Sequence, residues 1–188
     1  MKSPDQFIVK AANNKRYNNT KEIGGVDFVV SSSQEDHKFS NREAIVIETP
    51  LEYRGPIKKG DTLLVHHNVF KFYNDMYGRQ KSGKSFFKDD IFLIDKEQFF
   101  LYKHKDEWNA YDRYCFVEPV KALKNLSIDK VCEYEPLMGI MKYPNDYLIS
   151  QGVNKGDKIS FTPEMEYEFY VDGEKLYRIF DHQITLKL

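Results

Sequence analysis

The chain has 188 residues, and its 28 Lys and Arg side chains are balanced by 29 Asp and Glu, which leaves a net charge of −1. This balance argues against a protein dedicated to binding nucleic acid, since such proteins usually carry a basic surplus. No run of about 18 apolar residues occurs, and Met1–Gln6 lacks the apolar core of a signal peptide. We therefore expect no membrane contact and a cytoplasmic location.

Composition favours strands over helices. Phe, Tyr and Trp make up 15% of the residues, whereas alanine, the best helix former, occurs at only five positions. Aromatic side chains are enriched in strands, so this composition disfavours a helical bundle. The two cysteines, Cys115 and Cys132, have neither CxxC nor zinc-finger spacing, and we interpret both as reduced core or strand residues.

Taken in chain order, short apolar runs alternate with polar turn segments. Most of these runs are three to six residues long, which is the length of strands and too short for independent helices. Strands are predicted at ten runs: Phe7–Val9, Val26–Val30, Ala44–Ile47, Thr62–Val65, Ile91–Ile94, Phe99–Tyr102, Cys115–Val117, Ile159–Phe161, Leu176–Ile179 and Ile184–Leu186. The segment Lys121–Val131 is open to two interpretations, a short helix or an irregular loop. The pattern as a whole predicts an all-β protein built as a small barrel or sandwich.

Three segments recur in the same order along the chain, which indicates an internal duplication. The repeated pairs are Asp5–Val9 with Asp112–Phe116, Ile57–Val65 with Val153–Phe161, and Ile91–Phe99 with Leu176–Ile184. Both copies of the middle segment contain Lys-Gly-Asp, which can turn the chain tightly into a strand.

The duplication predicts two domains, with the boundary in the charged connector near Asp106. The first domain covers residues 1–105, and the second covers 106–188. Two features distinguish the first copy, a long N-terminal loop at about 11–30 and an insertion at about 66–87.

Several motifs, taken in order, resemble the GroES-like co-chaperonin family. In the second copy, Asp112–Val117 resembles the family's opening Asp-Arg-apolar-apolar-Val strand, and Val153–Phe161 resembles its Val-Lys-x-Gly-Asp-x-Val-x-Phe segment. Val171–Tyr177 resembles the family's Asp-Gly-Glu-Glu-Tyr hairpin, and Ile184–Leu186 lies where the family ends with Ile-Leu-Ala. In the first copy, Thr20–Phe28 is similar to the mobile loop Thr-x-x-Gly-Gly-Ile-Val-Leu.

This resemblance implies two tandem GroES-like small β-barrels and docking on a GroEL-type chaperonin through an apolar tripeptide. Val26, Asp27 and Phe28 occupy the positions of that tripeptide, although the family has an apolar residue where this chain has Asp27. Alternate side chains of an extended segment face opposite ways, so Asp27 can face solvent while Val26 and Phe28 enter a groove. The corresponding segment of the second copy, Lys124–Ile128, is at best a degenerate loop.

The residues themselves leave two interpretations of this region open. Asn13–Thr20 is polar, so we expect a mobile arm that ends in an apolar docking segment. The alternative is that Val26–Val30 is an ordinary barrel strand after a long surface loop.

Other motifs carry weaker signals. Gly78–Ser85 satisfies the P-loop pattern, but the residues after Lys84 predict a turn and a strand instead of the phosphate-holding helix. Neighbouring strand residues such as His66 and His67 point to opposite faces and are poorly placed to chelate one metal ion. The mixed aromatic and cationic residues between Tyr77 and Lys88 are interpreted as a solvated loop, with single-stranded nucleic acid as the less favoured partner.

The sequence therefore predicts a co-chaperonin-like protein that assists folding as a homo-oligomeric ring. No catalytic triad or metal-ligand set is recognisable, so we expect no enzyme, no catalytic or metal-binding residue, and no cofactor. The alternative function is a structural or assembly protein, for example of a viral particle, that uses the same barrels as oligomeric building blocks.

Overall fold

A computed structural model describes residues 1–29, 39–122, 133–163 and 167–188. Strands contain 51% of the described residues and helices 9%, so the predicted all-β class is confirmed. Within the described ranges, no helix is long and apolar enough to cross a membrane.

The chain divides into two compact units, Met1–Glu107 and Trp108–Leu188. We call them unit 1 and unit 2. The sequence predicts the domain boundary between residues 105 and 106, which is two positions before the boundary between residues 107 and 108 in the structure.

Unit 1 is organised around one large antiparallel sheet, in which the strands run in the order β10-β5-β4-β1-β9-β8. Two further pairs, β2–β3 and β6–β7, form small two-stranded sheets of their own. The strands are β1 Phe7–Ala11, β2 Thr20–Ile23, β3 Val26–Val29, β4 Glu43–Glu48, β5 Thr62–Val65, β6 Phe72–Asn74, β7 Gln80–Ser82, β8 Phe86–Lys88, β9 Ile91–Ile94, β10 Phe99–His104 and, at the boundary, β11 Glu107–Ala110.

Unit 2 contains a second antiparallel sheet and, among its described residues, one short α-helix, α1, at Asp146–Ser150. The sheet order is β15-β16-β12-β13-β14-β17. Its strands are β12 Tyr114–Lys121, β13 Tyr134–Tyr143, β14 Lys158–Phe161, β15 Tyr167–Val171, β16 Glu174–Phe180 and β17 Ile184–Lys187. The sequence did not predict α1, which begins after the N-cap residue Asn145, whose side chain accepts a hydrogen bond of 2.9 Å from the Leu148 amide.

The two units share the same strand pairing. Strand by strand, β8-β9-β1-β4-β5-β10 of unit 1 corresponds to β15-β16-β12-β13-β14-β17 of unit 2. The pairing register also shifts at the same step in the β1–β4 and β12–β13 pairs, between Ile8 and Val9 in unit 1 and between Phe116 and Val117 in unit 2. The two units therefore share one strand order, in agreement with the repeated motifs of the sequence.

The pairing corrects one alignment made from the sequence. The repeated motifs align Phe7 with Tyr114. In the structure, however, Phe7 pairs with Ile94, and the residue that pairs with Ile179, the equivalent of Ile94, is Cys115. Phe7 therefore corresponds to Cys115, one position later. Residues 7–9 and 114–117 are all buried, so no alternation of polar and apolar side chains reveals the register of these strands.

The Lys-Gly-Asp turns have nearly identical geometry in the two units. The amide of Gly60 donates to the carbonyl of Val46 at 2.8 Å, and the amide of Gly156 donates to the carbonyl of Met141 at 2.8 Å. Their φ angles are 93° and 92°, a conformation that residues with a Cβ atom rarely adopt. Glycine is therefore required at both positions by the backbone.

Each unit has its own buried core. The core of unit 1 is strongly aromatic, with the rings of Phe70 and Phe92 packed edge to face at 4.8 Å. In unit 2, Cys115 is fully buried in an apolar cluster, and this burial raises the pKa of its thiol. The interpretation of Cys115 as a reduced core residue is confirmed, whereas Cys132 lies outside the described residues.

The sheets differ from the expectation in one respect. Over the described residues, neither ladder of paired strands closes on itself, so the sheets are open and not closed barrels. The predicted long loop at 11–30 contains the β2–β3 hairpin, and the predicted insertion at 66–87 contains β6, β7 and most of β8.

The backbone requirement at the two turns can be tested by adding a methyl group. A Cβ atom at Gly60 or Gly156 would meet no other atom within 4 Å, so strain of the backbone is the dominant effect. We expect Gly60→Ala and Gly156→Ala each to lower the free energy of unfolding by about 1–2 kcal/mol, measured by urea denaturation. Lys59→Ala in the same turn is the control and should change it by less than about 0.5 kcal/mol.

A buried carboxylate connects three segments of unit 2. The side chain of Asp181 is only 3% exposed and accepts hydrogen bonds from Arg113 at 2.7 Å and from Asn145 at 3.1 Å. Burial opposes ionisation of Asp181, but the hydrogen bonds from Arg113 and Asn145 outweigh it and hold the pKa of this carboxyl below its ordinary value. The ionised form is thus stabilised by folding.

This arrangement predicts how stability depends on pH. We expect Asp181→Asn to lower the free energy of unfolding by about 1–3 kcal/mol at neutral pH. Because the folded pKa is depressed, the contribution of Asp181 is fully present above about pH 5 and is lost as the pH falls below about 4. Urea denaturation of both proteins between pH 3 and 7 should show the difference shrinking at the acid end; a difference that grows there would contradict the assignment.

Candidate functional site

The strands β2 and β3 form a tight hairpin that is not part of the large sheet of unit 1. They are joined by Gly24 and Gly25, which have φ angles of 61° and 80°. Positive φ at both central residues is the geometry of a two-residue turn that matches the twist of an antiparallel hairpin, and it favours glycine. The register places Ile23 directly opposite Val26.

The hairpin exposes large apolar side chains. Ile23 is 57% exposed, Val26 57%, Phe28 51% and Val29 66%. Side chains two positions apart, or directly opposite in the register, lie on the same face of a hairpin. Ile23, Val26 and Phe28 therefore share one face, which we call the docking face, and Val29 lies on the opposite face.

An apolar cluster of this kind is typical of an interaction site. Isolated exposed apolar residues are common on protein surfaces, but contiguous patches mark places where a partner binds. The docking face gathers its three side chains within six consecutive residues, next to a glycine turn that adds no bulk. The surface is narrow and suits insertion into an apolar groove.

The structure brings two of the three predicted site residues together. Val26 and Phe28 lie on the docking face, and the backbone of Asp27 pairs with Glu22, whereas the side chain of Asp27 lies outside the described part of the structure. Ile23 was missed by sequence reasoning. The signal that could have found it is its position directly before Gly24-Gly25, which places it across a two-residue turn from Val26.

The base of the loop that carries the hairpin is closed by backbone hydrogen bonds. Tyr17 forms a bridge with Ser40. On either side of it, the Asn18 amide donates to the carbonyl of Phe39 at 2.7 Å, and the Asn41 amide donates to the carbonyl of Arg16 at 3.0 Å. The hairpin thus extends from a fixed base.

Asn41 fastens this base to the preceding turn. Its side chain is almost completely buried, and its amide nitrogen donates to the carbonyls of Ala12 and Lys15 at 3.0 and 2.7 Å. Its amide oxygen accepts from the Glu43 amide at 2.9 Å, at the start of β4. All the hydrogen-bonding groups of this side chain therefore hold the loop base against the sheet.

The expectation of an unpacked arm at Asn13–Thr20 is wrong for Arg16 and Tyr17. Arg16 donates to the carbonyl of Phe70 at 2.9 Å, and the ring of Tyr17 packs edge to face on Phe72 at 5.0 Å. Sequence reasoning treated these residues as solvated because their partners lie more than fifty positions away along the chain.

The P-loop-like segment has the conformation that the sequence predicted. Gly78 lies in the turn between β6 and β7, with its amide donating to the carbonyl of Asp75 at 2.8 Å. Ser85 is buried, and the strand β8 follows at Phe86–Lys88. No helix begins at Lys84, so this segment lacks the helix N-terminus that holds phosphates in a P-loop.

Within the described ranges, no group of three or more His, Cys, Asp or Glu is arranged to hold a metal ion. The expectation that His66 and His67 point to opposite faces is wrong, because both follow the end of β5 at Val65 and their rings lie side by side with centroids 4.1 Å apart. His37 and the loop segment Lys124–Ile128 lie outside the described residues.

No protein-family model matches this chain, and a search among curated proteins finds no match either.

The exposure of the docking face predicts a small effect on folding. Because Phe28 is half exposed and belongs to a separate hairpin, Phe28→Ser should change the free energy of unfolding by less than about 1 kcal/mol. The comparison is Phe92→Ser in the core, which should cost about 3–5 kcal/mol by analogy with Phe-to-Ala changes. Thermal and urea denaturation measure both, and a loss at Phe28 close to that at Phe92 would show that Phe28 is a core strand residue.

Proposed function

We propose that this chain is a co-chaperonin-like protein of two tandem GroES-like units that docks on a GroEL-type chaperonin and assists protein folding. The observation that carries the proposal is the docking face of Ile23, Val26 and Phe28 on a hairpin outside the large sheet. The resemblance of Thr20–Phe28 to the family's mobile loop supports it. The proposal assigns the chain no chemistry and no cofactor of its own.

Docking would work by burying the apolar face. Full burial of a Val or Phe side chain is worth about 1.5–3 kcal/mol, so three half-exposed side chains can together supply only a few kcal/mol per chain. A flexible segment loses part of its contact energy when it becomes ordered on a partner. The two-residue turn and the closed loop base reduce that loss, because the chain already adopts a hairpin before docking.

Tight binding would then require several chains acting together. Linked anchors bind with a high effective concentration, so weak individual contacts can give a stable complex. We propose that the chain forms a homo-oligomeric ring in which each copy presents one hairpin. The open sheets support this proposal, since their edge strands expose backbone groups that pairing between copies would satisfy.

The proposal predicts a loss of docking when the face is made polar. Phe28→Ser removes the largest anchor and should weaken docking by at least about tenfold per chain, and Val26→Ser should have a smaller effect. The measurement is sedimentation of the purified chain with a GroEL-type chaperonin in the presence of nucleotide, together with the recovery of a refolding client protein.

Val29→Ser is the matched control, because Val29 belongs to the same strand and is at least as exposed but lies on the opposite face. It should dock like the unmodified chain. Equal losses for Phe28→Ser and Val29→Ser would contradict a face-specific anchor. If the unmodified chain does not bind a chaperonin and its hairpin is protected from exchange within a homo-oligomer, the structural or assembly function is correct instead.

A further inference from the structure

Unit 1 differs from unit 2 by two long excursions, and the two contact each other. The connection from β1 to β4 covers residues 12–42, whereas the corresponding connection in unit 2 covers 122–133. The connection from β5 to β8 covers 66–85, whereas its counterpart covers 162–166. The first excursion carries the docking hairpin, and we call the second one, residues 66–85, the brace.

Arg16 joins the base of the hairpin loop to the brace. Its guanidinium group donates to the carbonyl of Phe70 at 2.9 Å, to the carbonyl of Lys71 at 3.4 Å and to the hydroxyl of Ser82 at 3.3 Å. These acceptors lie on both sides of the β6–β7 hairpin, because Phe72 pairs with Ser82 in its register. One side chain therefore holds both strands of the brace.

The guanidinium group is also surrounded by aromatic rings. Its central carbon lies 5.2 Å from the ring centroids of Phe72 and Phe92 and 5.6 Å from that of Phe86. Stacking of a partly desolvated cation on aromatic faces is favourable. The planar fork of arginine suits this site, since it can stack on rings and donate to several acceptors at once, which the ammonium group of lysine cannot do.

Two more contacts tie the loop base to the brace. The hydroxyl of Tyr17 accepts a hydrogen bond from the Phe72 amide at 3.3 Å. On the returning side of the loop, the hydroxyl of Ser40 donates to the carbonyl of His67 at 2.7 Å. The brace thus holds both sides of the loop base, next to the Tyr17–Ser40 bridge from which the docking hairpin extends.

We infer that the brace fixes the base of the docking loop and that Arg16 is the positioning residue that couples the two. This inference rests on the proposed function for its consequence, which is stronger docking. Holding the base closed raises the fraction of chains whose hairpin is ready to bind, and the apparent dissociation constant varies inversely with that fraction. Arg16 itself lies outside the docking face and acts only through the loop base.

The first test needs no chaperonin. Arg16→Gln should speed hydrogen exchange of the Asn18 and Asn41 amides by about tenfold or more, because their bonds close the loop base. The Val46 amide, which donates to the carbonyl of Asp61 in the sheet, should exchange at its original rate. Arg54→Gln is the matched control, since Arg54 also donates to two main-chain carbonyls but belongs to a different loop.

The second test measures docking. Arg16→Gln leaves the three side chains of the docking face unmodified, yet it should weaken binding to the chaperonin by about tenfold per chain. Arg54→Gln should not weaken this binding. Arg16→Lys keeps the charge without the fork and should restore less than half of the lost protection. If Arg16→Gln does not fold, Tyr17→Phe removes one contact of the brace and should speed exchange of the same two amides.

The outcomes separate this inference from the proposed function. Unchanged exchange at Asn18 and Asn41 in Arg16→Gln overturns the brace, whatever the chaperonin result. Faster exchange with full docking strength overturns the positioning role of Arg16. If the unmodified chain fails to bind a chaperonin, the proposed function and the docking consequence fail, while the exchange experiment still decides whether the brace holds the loop base.

Discussion

Backbone pairing of the first strand of each unit constrains most of this structure. In unit 1, β1 pairs with β4 on one side and with β9 on the other, and its side chains at residues 7–9 are buried. The same arrangement recurs around β12 in unit 2. Among the described residues, β2 and β3 pair only with each other. Because a lone hairpin has no layer to pack against, its apolar side chains remain exposed, and this exposure is the basis of the proposed docking.

The guanidinium group of Arg16, which lies among phenylalanine rings, connects the aromatic core of unit 1 to the base of the loop that carries this hairpin. Burial lowers the pKa of Arg16, which shows that desolvation disfavours its charged form. Hydrogen bonds to the carbonyls of Phe70 and Lys71 and stacking on aromatic rings offset that cost. An aliphatic side chain at this position would avoid the desolvation but could not bind both strands of the brace. The guanidinium group of Arg16 therefore holds the loop base against the brace through contacts that only a cationic, planar donor can make.

Particular elements show how far the sequence predicts the fold and the site. All ten apolar runs lie wholly or largely in strands, and both Lys-Gly-Asp segments form the predicted turns. Strands β2, β6, β7, β11, β13 and β15 contain none of these runs. Their apolar residues are few or are interrupted by polar residues, proline or glycine, so these strands depend on pairing with their neighbours. In the candidate site, Val26 and Phe28 were assigned through the resemblance of Thr20–Phe28 to the co-chaperonin mobile loop, whereas Ile23 required knowledge of the cross-strand register.

The order of amino acids predicts the all-β class, the internal repeat and the position of the apolar segment, because strand periodicity, turn chemistry and repeated motifs are local properties. Tertiary structure alone decided that the sheets are open over the described residues and that β1 and β12 correspond with a shift of one position. It also decided that Arg16 is fixed by residues 70, 71 and 82. These features depend on contacts between residues distant in sequence, and the energy of such contacts cannot be read from any local pattern.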